Sequence, residues 1–292
     1  MTFINIVLCD LRNGILKRWK VFLACGFLFA IFAVLAYLDF EAAKRMDPSP
    51  VTSAVSLGDY FCYLFGGTSA GNRPIEFLDS NIVNSMFIFT FPSIWCLIYL
   101  VLLLITLQYP YEDLMGFGKH IIILSNKIHY WWMSKCIWTI ATTITYFAVG
   151  VVFFAITALL LGAECNLNIG TYYPYFRFTA VDFLKDPPWN IVPTLLMVIP
   201  VGIGLCSIQL ALSLITTRLW GYLIGAAFLL GSAYQKHELF FPNISMFARS
   251  IEVVSNGQVA VIELIIIAWI TFVSILAGYL YLKRADILNK YK

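Results

Sequence analysis

Apolar residues in this chain run in long unbroken blocks, and polar residues gather in the segments between them. A helix needs about 20 apolar residues to cross a hydrocarbon core of roughly 30 Å. Six blocks qualify, at 21–38, 86–107, 137–161, 191–216, 219–234 and 259–282. The fifth is the shortest and begins almost where the fourth ends, so those two predict a tight hairpin. The blocks are continuously apolar and do not alternate, which predicts spanning helices and not the strands of a barrel.

Before the first block the pattern changes. Phe3, Val7, Leu11, Ile15 and Trp19 recur every four residues, with Ile4 and Leu8 beside them. Asn5, Asp10, Arg12, Asn13 and Lys17 fall elsewhere on the wheel. An apolar stripe with cationic flanks predicts an amphipathic elbow helix over 1–20, lying in the membrane interface. The first span is expected to be retained, because it is too long for a signal peptide and no small-residue cleavage site follows it.

Composition supports this picture. Hydrophobic residues make up 61% and charged residues 12%, against roughly 25% charged in soluble domains. Disorder is excluded, since it requires few hydrophobic residues. The reading is one all-α polytopic membrane domain over 1–292, with six transmembrane helices.

Charge then orients it. Arg12, Lys17, Arg18, Lys20, Lys119, Lys127, Lys135, Arg218, Lys283, Arg284, Lys290 and Lys292 fall on one side. Lys44, Arg45, Arg73, Arg177, Lys185, Lys236 and Arg249 fall on the other. The richer side is expected to be cytoplasmic, with both termini on it. The localisation that follows is a cell membrane, of bacterial type.

The outer segments carry little chemistry. "FGGTSAGNRP", within the first outer loop at 39–85, has turn composition but lacks the spacing of a phosphate-binding loop. The second, 162–190, is aromatic and is expected to rest on the membrane surface. The third, "KHELFFPNISMFARSIEVVSNG", mixes apolar and polar residues and is expected to dip into the outer leaflet and return. Cys62 and Cys165 fall in outer loops, where an oxidising compartment permits a disulfide, although spacing alone does not bring them within bonding distance.

No catalytic, cofactor-binding or metal constellation is visible. His120, His129 and His237 form no H-x-x-x-H pair, there is no Cys-x-x-Cys, and no G-x-S-x-G elbow is present. Glu263 is the single acid within a span, near the outer end of the sixth, where it is expected to reach the interface. Gly221 and Gly225 form a G-x-x-x-G pair in the fifth span, a helix-packing signal.

The most informative stretch is 108–135, "QYPYEDLMGFGKHIIILSNKIHYWWMSK". Span two is expected to end in an aromatic belt at Tyr109 and Tyr111. Glu112 and Asp113 follow, placed to form salt bridges with the elbow or the first span. Gly116 and Gly118 break the helix, a short helix follows over 119–124, and Ser125 and Asn126 provide a turn and an N-cap. Tyr130, Trp131 and Trp132 are expected at the interface where span three begins. The four aliphatics Ile121, Ile122, Ile123 and Leu124 cannot all face lipid, so some must be covered by a partner or by the rest of the chain.

This arrangement resembles the coupling helix of ATP-binding-cassette exporter permeases of the type-two class, carried by Gly118, Lys119, His120, Ile121, Ile122, Ile123, Leu124 and Ser125 and by the "S-N-K-x-x-x-W-W-x-S-K" run to Lys135. The resemblance implies an exporter permease subunit that forms the translocation path and is not itself an enzyme. It implies a separate cytoplasmic ATPase that carries ATP-Mg, a second permease subunit of the same or a homologous chain, membrane lipids around both, and no nucleic acid. No cofactor is expected in this chain. Two other readings of the residues stand beside it: a non-transporting membrane scaffold or immunity protein, and a membrane-embedded lipid-modifying enzyme.

Overall fold

The computed structural model describes residues 2–46, 55–68, 91–116, 118, 128–170, 189–237, 239–251, 253–254 and 257–284. The architecture is helical. Helix α1 spans Phe3–Gly14, and a 3-10 turn over Leu16–Arg18 leads into α2, Trp19–Met46. Then come α3 (Leu57–Phe65), α4 (Ser93–Met115), α5 (Ile128–Leu160), α6 (Val192–Ile215), α7 (Arg218–Tyr234) and α8 (Ala260–Arg284). Two-residue strands β1 (Asn168–Ile169) and β2 (Trp189–Asn190) pair antiparallel.

Among the described residues, five helical stretches are long and apolar enough to cross a membrane: Phe3–Arg45, Ser93–Leu114, Ile128–Leu160, Val192–Ile215 and Ala260–Arg284. The protein is therefore a multi-pass membrane protein by helix length and hydropathy. Helix α7 sits where the fifth span is expected, but its 17 residues extend only about 25 Å. The α6–α7 hairpin forms as expected: two residues join the helices, and Thr217 caps α7 by accepting from the Trp220 backbone N–H at 3.4 Å.

Several helices overrun their apolar blocks. Helix α4 continues past 107 through Glu112 and Asp113 despite Pro110. Helix α5 begins at Ile128, nine residues before the expected start of span three, and its 33 residues measure about 50 Å. That exceeds a hydrocarbon core of roughly 30 Å, so α5 must project beyond it. The apolar block marks only the part of a helix that lipid surrounds. The rest is held by protein contacts.

Helix α6 lies at the centre, with α4, α5, α7 and α8 packed around it. Helix α2 lies along α5, through edge-on aromatic pairs such as Phe29 with Tyr146 at 5.7 Å and Phe27 with Phe153 at 5.5 Å. Tyr146 and Tyr99 donate to the backbone carbonyls of Ile98 (2.8 Å) and Val198 (3.2 Å), so the core aromatics also tie α4 to its neighbours.

The end of the bundle opposite the amino terminus is capped by protein. Helix α3 was not foreseen within the first outer loop; it is almost wholly buried. Its capping box joins Ser56 to Asp59, and the Asp59 carboxylate also accepts the Gly170 N–H at 2.9 Å. Burial pushes the Asp59 carboxyl above its usual range, against the pull of the Ser56 and Gly170 hydrogen bonds. No disulfide joins Cys62, buried in α3, to Cys165, which is exposed.

The segment expected to dip into the outer leaflet instead forms two 3-10 turns, Phe241–Ser245 and Phe247–Arg249, every residue of which is buried in protein. Arg249 is the reason. Its guanidinium donates to the carbonyls of Ser232 (2.6 Å) and Ala233 (2.7 Å) at the carboxyl end of α7, to the Thr68 carbonyl (3.0 Å), and to the Asn243 side chain. A cation at a helix carboxyl terminus satisfies the orphan carbonyls and the dipole together. Burial pushes the guanidinium down to about 10, which leaves it charged at neutral pH. Glu263, expected to reach the interface, is instead buried at 1% exposure in the first turn of α8.

Replacing Arg249 by Met strands these acceptors in a dry site, at about 1–3 kcal/mol for each unsatisfied group. Arg249→Met is expected to lower the thermal stability of the detergent-purified protein by several degrees, whereas Arg45→Met, at an exposed position, leaves it unchanged. A thermal size-exclusion assay on both variants checks this.

Candidate functional site

Three helix ends converge at the amino-terminal end of the bundle, and each presents polar residues at helical spacing. The last turns of α4 carry Tyr109, Glu112 and Asp113, spaced i, i+3 and i+4 and so on one face. The first turns of α5 carry Trp131, Ser134, Lys135 and Trp138 in the same register. Helix α1 buries Ile6, Asp10 and Gly14. Contacts between α1 and α5 advance together along both helices. Phe3 stacks on Tyr130, Asp10 meets Ser134 and Lys135, and Gly14 lies against Trp138.

Lys135 is the centre of the cluster. Its ammonium is fully buried and lies 2.6 Å from Asp10 and 2.7 Å from Asp113. It also sits 4.8 Å above the Tyr109 ring and 5.4 Å from that of Trp131, inside cation–π range. Two carboxylates share one ammonium, and neutral donors satisfy the excess. The Tyr109 hydroxyl (2.8 Å) and the Ser134 hydroxyl donate to Asp10, and the Trp131 indole N–H donates to Asp113 at 2.8 Å. Beside this core, Arg18 pairs with Glu112 and lies 5.5 Å from the Tyr109 ring, which fastens the α1–α2 bend to α4. Arg218, at the start of α7, lies 4.8 Å over the Tyr111 ring.

The expected salt bridges of Glu112 and Asp113 are thus present. Glu112 pairs with the elbow through Arg18, as anticipated, but Asp113 pairs with Lys135 on α5. The expected aromatic belt is corrected. Trp131 and Trp132 are 0% and 1% exposed and face protein instead of the interface. Trp132 donates to the Ile275 carbonyl of α8 at 2.8 Å, and both tryptophans pack with Leu114, Leu210, Leu214 and Leu282. Beside them on the same helix His129 and Met133 are exposed.

Of the coupling residues, Gly118 is placed. It is buried, and a Cβ there would overlap the Asp113 carboxylate and the Trp131 indole nitrogen. Only a glycine lets the backbone lie that close. Lys119, His120, Ile121, Ile122, Ile123, Leu124 and Ser125 lie outside the described residues. Of the packing pair, Gly221 brings α7 against the backbone of Ser213 on α6, at 2.8 Å from a would-be Cβ, and Gly225 faces Leu103 of α4 and Gln209 of α6.

Sequence reading missed Lys135 and Asp10 as partners. Both were assigned to solvated faces, Lys135 as a loop charge and Asp10 as part of the polar side of the elbow. The available signal was the spacing of Tyr109, Glu112 and Asp113, which continues the α4 helix beyond its apolar block.

In sequence, Glu112 and Asp113 precede residues 117–127 and Lys135 follows them. Removing one partner of a buried ion pair costs about 3–5 kcal/mol. Lys135→Met is accordingly expected to destabilise the protein strongly, and Lys135→Met combined with Asp10→Asn and Asp113→Asn to recover most of the loss. Thermal unfolding of the single and triple variants measures this, and equal losses in the two would contradict the ion-pair account. Comparison of the chain with protein-family models, curated proteins and solved structures returns no match in any of the three.

Proposed function

We propose that this chain is the permease subunit of an ATP-driven exporter, working with a separate cytoplasmic ATP-binding-cassette ATPase that carries ATP-Mg and with a second permease subunit of the same or a homologous chain. The observation that carries the reading is the buried ionic joint of Asp10, Asp113 and Lys135, in which Asp113 and Lys135 flank residues 117–127 in sequence. An ATPase that closes on ATP delivers a mechanical displacement at the membrane surface. A transporter needs a contact that receives it and a rigid connection that passes it to several spans together. The aliphatics Ile121 to Leu124 suit the first role. The joint suits the second, because buried charge-assisted contacts have fixed geometry and are costly to break.

In this reading α7 is a sixth crossing, shortened and held against α6 by Gly221, and both termini are cytoplasmic. The chain itself performs no catalysis. The cargo path lies among the spans of the paired permease subunits.

The test separates docking from folding. Ile122→Asp together with Leu124→Asp is expected to abolish co-purification of an ATP-binding-cassette ATPase from native membranes, with the variant still inserted and as thermally stable as the parent. Undiminished ATPase recovery and ATP-dependent efflux in that double variant would refute the assignment.

A further inference from the structure

A slot of about 170 Å³ opens beside the ionic joint, between the α1–α2 bend and α4. It exists because α2 lays its length on α5 and not on α4. Its wall residues are ordered by depth. Arg18 and Gln108 lie at the amino-terminal end of the bundle. Val21 and Phe22 of α2, with Leu104 and Ile105 of α4, lie deeper along the two helices, and Trp138 of α5 lines the slot with them. Polar groups at the rim and apolar groups within match the profile of a lipid molecule in one leaflet.

The polar groups have bonding capacity to spare. A guanidinium has five N–H donors, and that of Arg18 makes one hydrogen bond, to Glu112, among the described residues. The exposed Gln108 amide makes no hydrogen bond among them. The Trp138 indole N–H is buried with no acceptor, an omission worth about 1–3 kcal/mol. The remaining Arg18 donors and the Gln108 amide at the rim suit an oxygen-rich ligand. The apolar walls exclude a free inorganic ion as the sole occupant. Glu112 already neutralises part of the Arg18 charge, so the selected feature is a phosphodiester and not a strongly anionic headgroup.

We propose that this slot binds one phospholipid of the leaflet on the amino-terminal side, with its phosphate at Arg18 and Gln108 and the start of an acyl chain between Phe22 and Leu104. The proposal does not depend on the chain being a permease. A lipid held there would lie on the same Arg18 that fastens the elbow to α4.

Native mass spectrometry of the delipidated, full-length protein tests it, with phosphatidylglycerol as the probe and diacylglycerol, which lacks the phosphate, as the comparison. One phosphatidylglycerol is expected to persist under conditions that strip the rest, and diacylglycerol is not. Arg18→Gln is expected to lower that occupancy about tenfold, the effect of losing one hydrogen bond to a charged group. Leu104→Trp, at a half-exposed position, fills the slot without touching the joint and is expected to lower it as much. Lys17→Gln, exposed and outside the slot, should not change it. Retention at the parental level by Leu104→Trp overturns the proposal whatever Arg18→Gln does. Equal retention of diacylglycerol, or an equal loss in Lys17→Gln, overturns it as well.

Discussion

Burying one ammonium between two carboxylates constrains every element around it. Lys135 has no exposed surface, and its charge is tolerable only while Asp10 and Asp113 are both within 3 Å. Those residues belong to three different helices. The contact therefore forms only once α1 lies along α5 and α4 has continued, still helical, past the end of its apolar block. The overrun of α4 and α5, the inward turn of Asp10 and the burial of Trp131 all follow from that requirement. Desolvating the ammonium is expensive, and the neutral donors Tyr109, Ser134 and Trp131 help to make the arrangement affordable by spreading the excess negative charge. Along α5 the polar ladder continues inward. Thr139 donates to the Lys135 carbonyl and Thr143 to that of Thr139, so these buried hydroxyls are satisfied by their own helix.

The opposite end solves a similar problem with different chemistry. Arg249 is also a buried cation, but its partners among the described residues are the carbonyls of Ser232, Ala233 and Thr68 and the Asn243 side chain, none of them a carboxylate. The planar guanidinium suits several acceptors arranged around it, and it is less strongly hydrated than an ammonium. A cation that bonds to main-chain carbonyls locks backbone to backbone, here the end of α7 to the buried turns. A cation that bonds to carboxylates instead locks side chains borne on separate helices, and those helices keep their own axes. The first suits a static plug. The second suits a place where helices must move as one body.

Much of the fold was legible because lipid imposes a simple rule on sequence. The spans 191–216 and 259–282 agree with α6 and α8 within two residues at each end, because both helices lie almost wholly inside their apolar blocks. The rule fails where helices leave lipid. Ile128 to Cys136 lies before the apolar block of span three, yet it is helical, as the N-cap signal at Ser125 and Asn126 anticipates, and α1 and the ends of α4 and α8 cover it. Trp131 and Trp132 have the composition of an interfacial belt, and only tertiary contact separates a tryptophan that faces headgroups from one that donates to Asp113 or Ile275. Charge counting misplaced Lys135 and Arg249 for the same reason. It assigns every cation outside an apolar block to water, whereas these two are satisfied by partners 20 residues or more away in sequence, apart from the local Ser232, Ala233 and Asn243 contacts of Arg249. In the candidate site, Glu112 and Asp113 were legible as salt-bridge formers, but the joint of Asp113 with Lys135 and Asp10 was not.

The distribution of packing then indicates where motion is least costly. At the amino-terminal end α1, α4 and α5 are pinned by the Lys135 cluster, and Trp132 extends the pinning to α8. The opposite end is closed by α3 and the buried turns. Between these two ends α2 lies on α5 alone and leaves the gap to α4, while α8 buries only 11% of its spanning window and meets its neighbours through few large side chains. Moving α2 away from α4 breaks no buried ion pair and uncovers little apolar surface that lipid cannot cover again. Moving α4 away from α5 breaks the Lys135–Asp113 contact. The α1–α4–α5 group is the stiffest part of this end of the bundle, and the α2–α4 gap the least constrained.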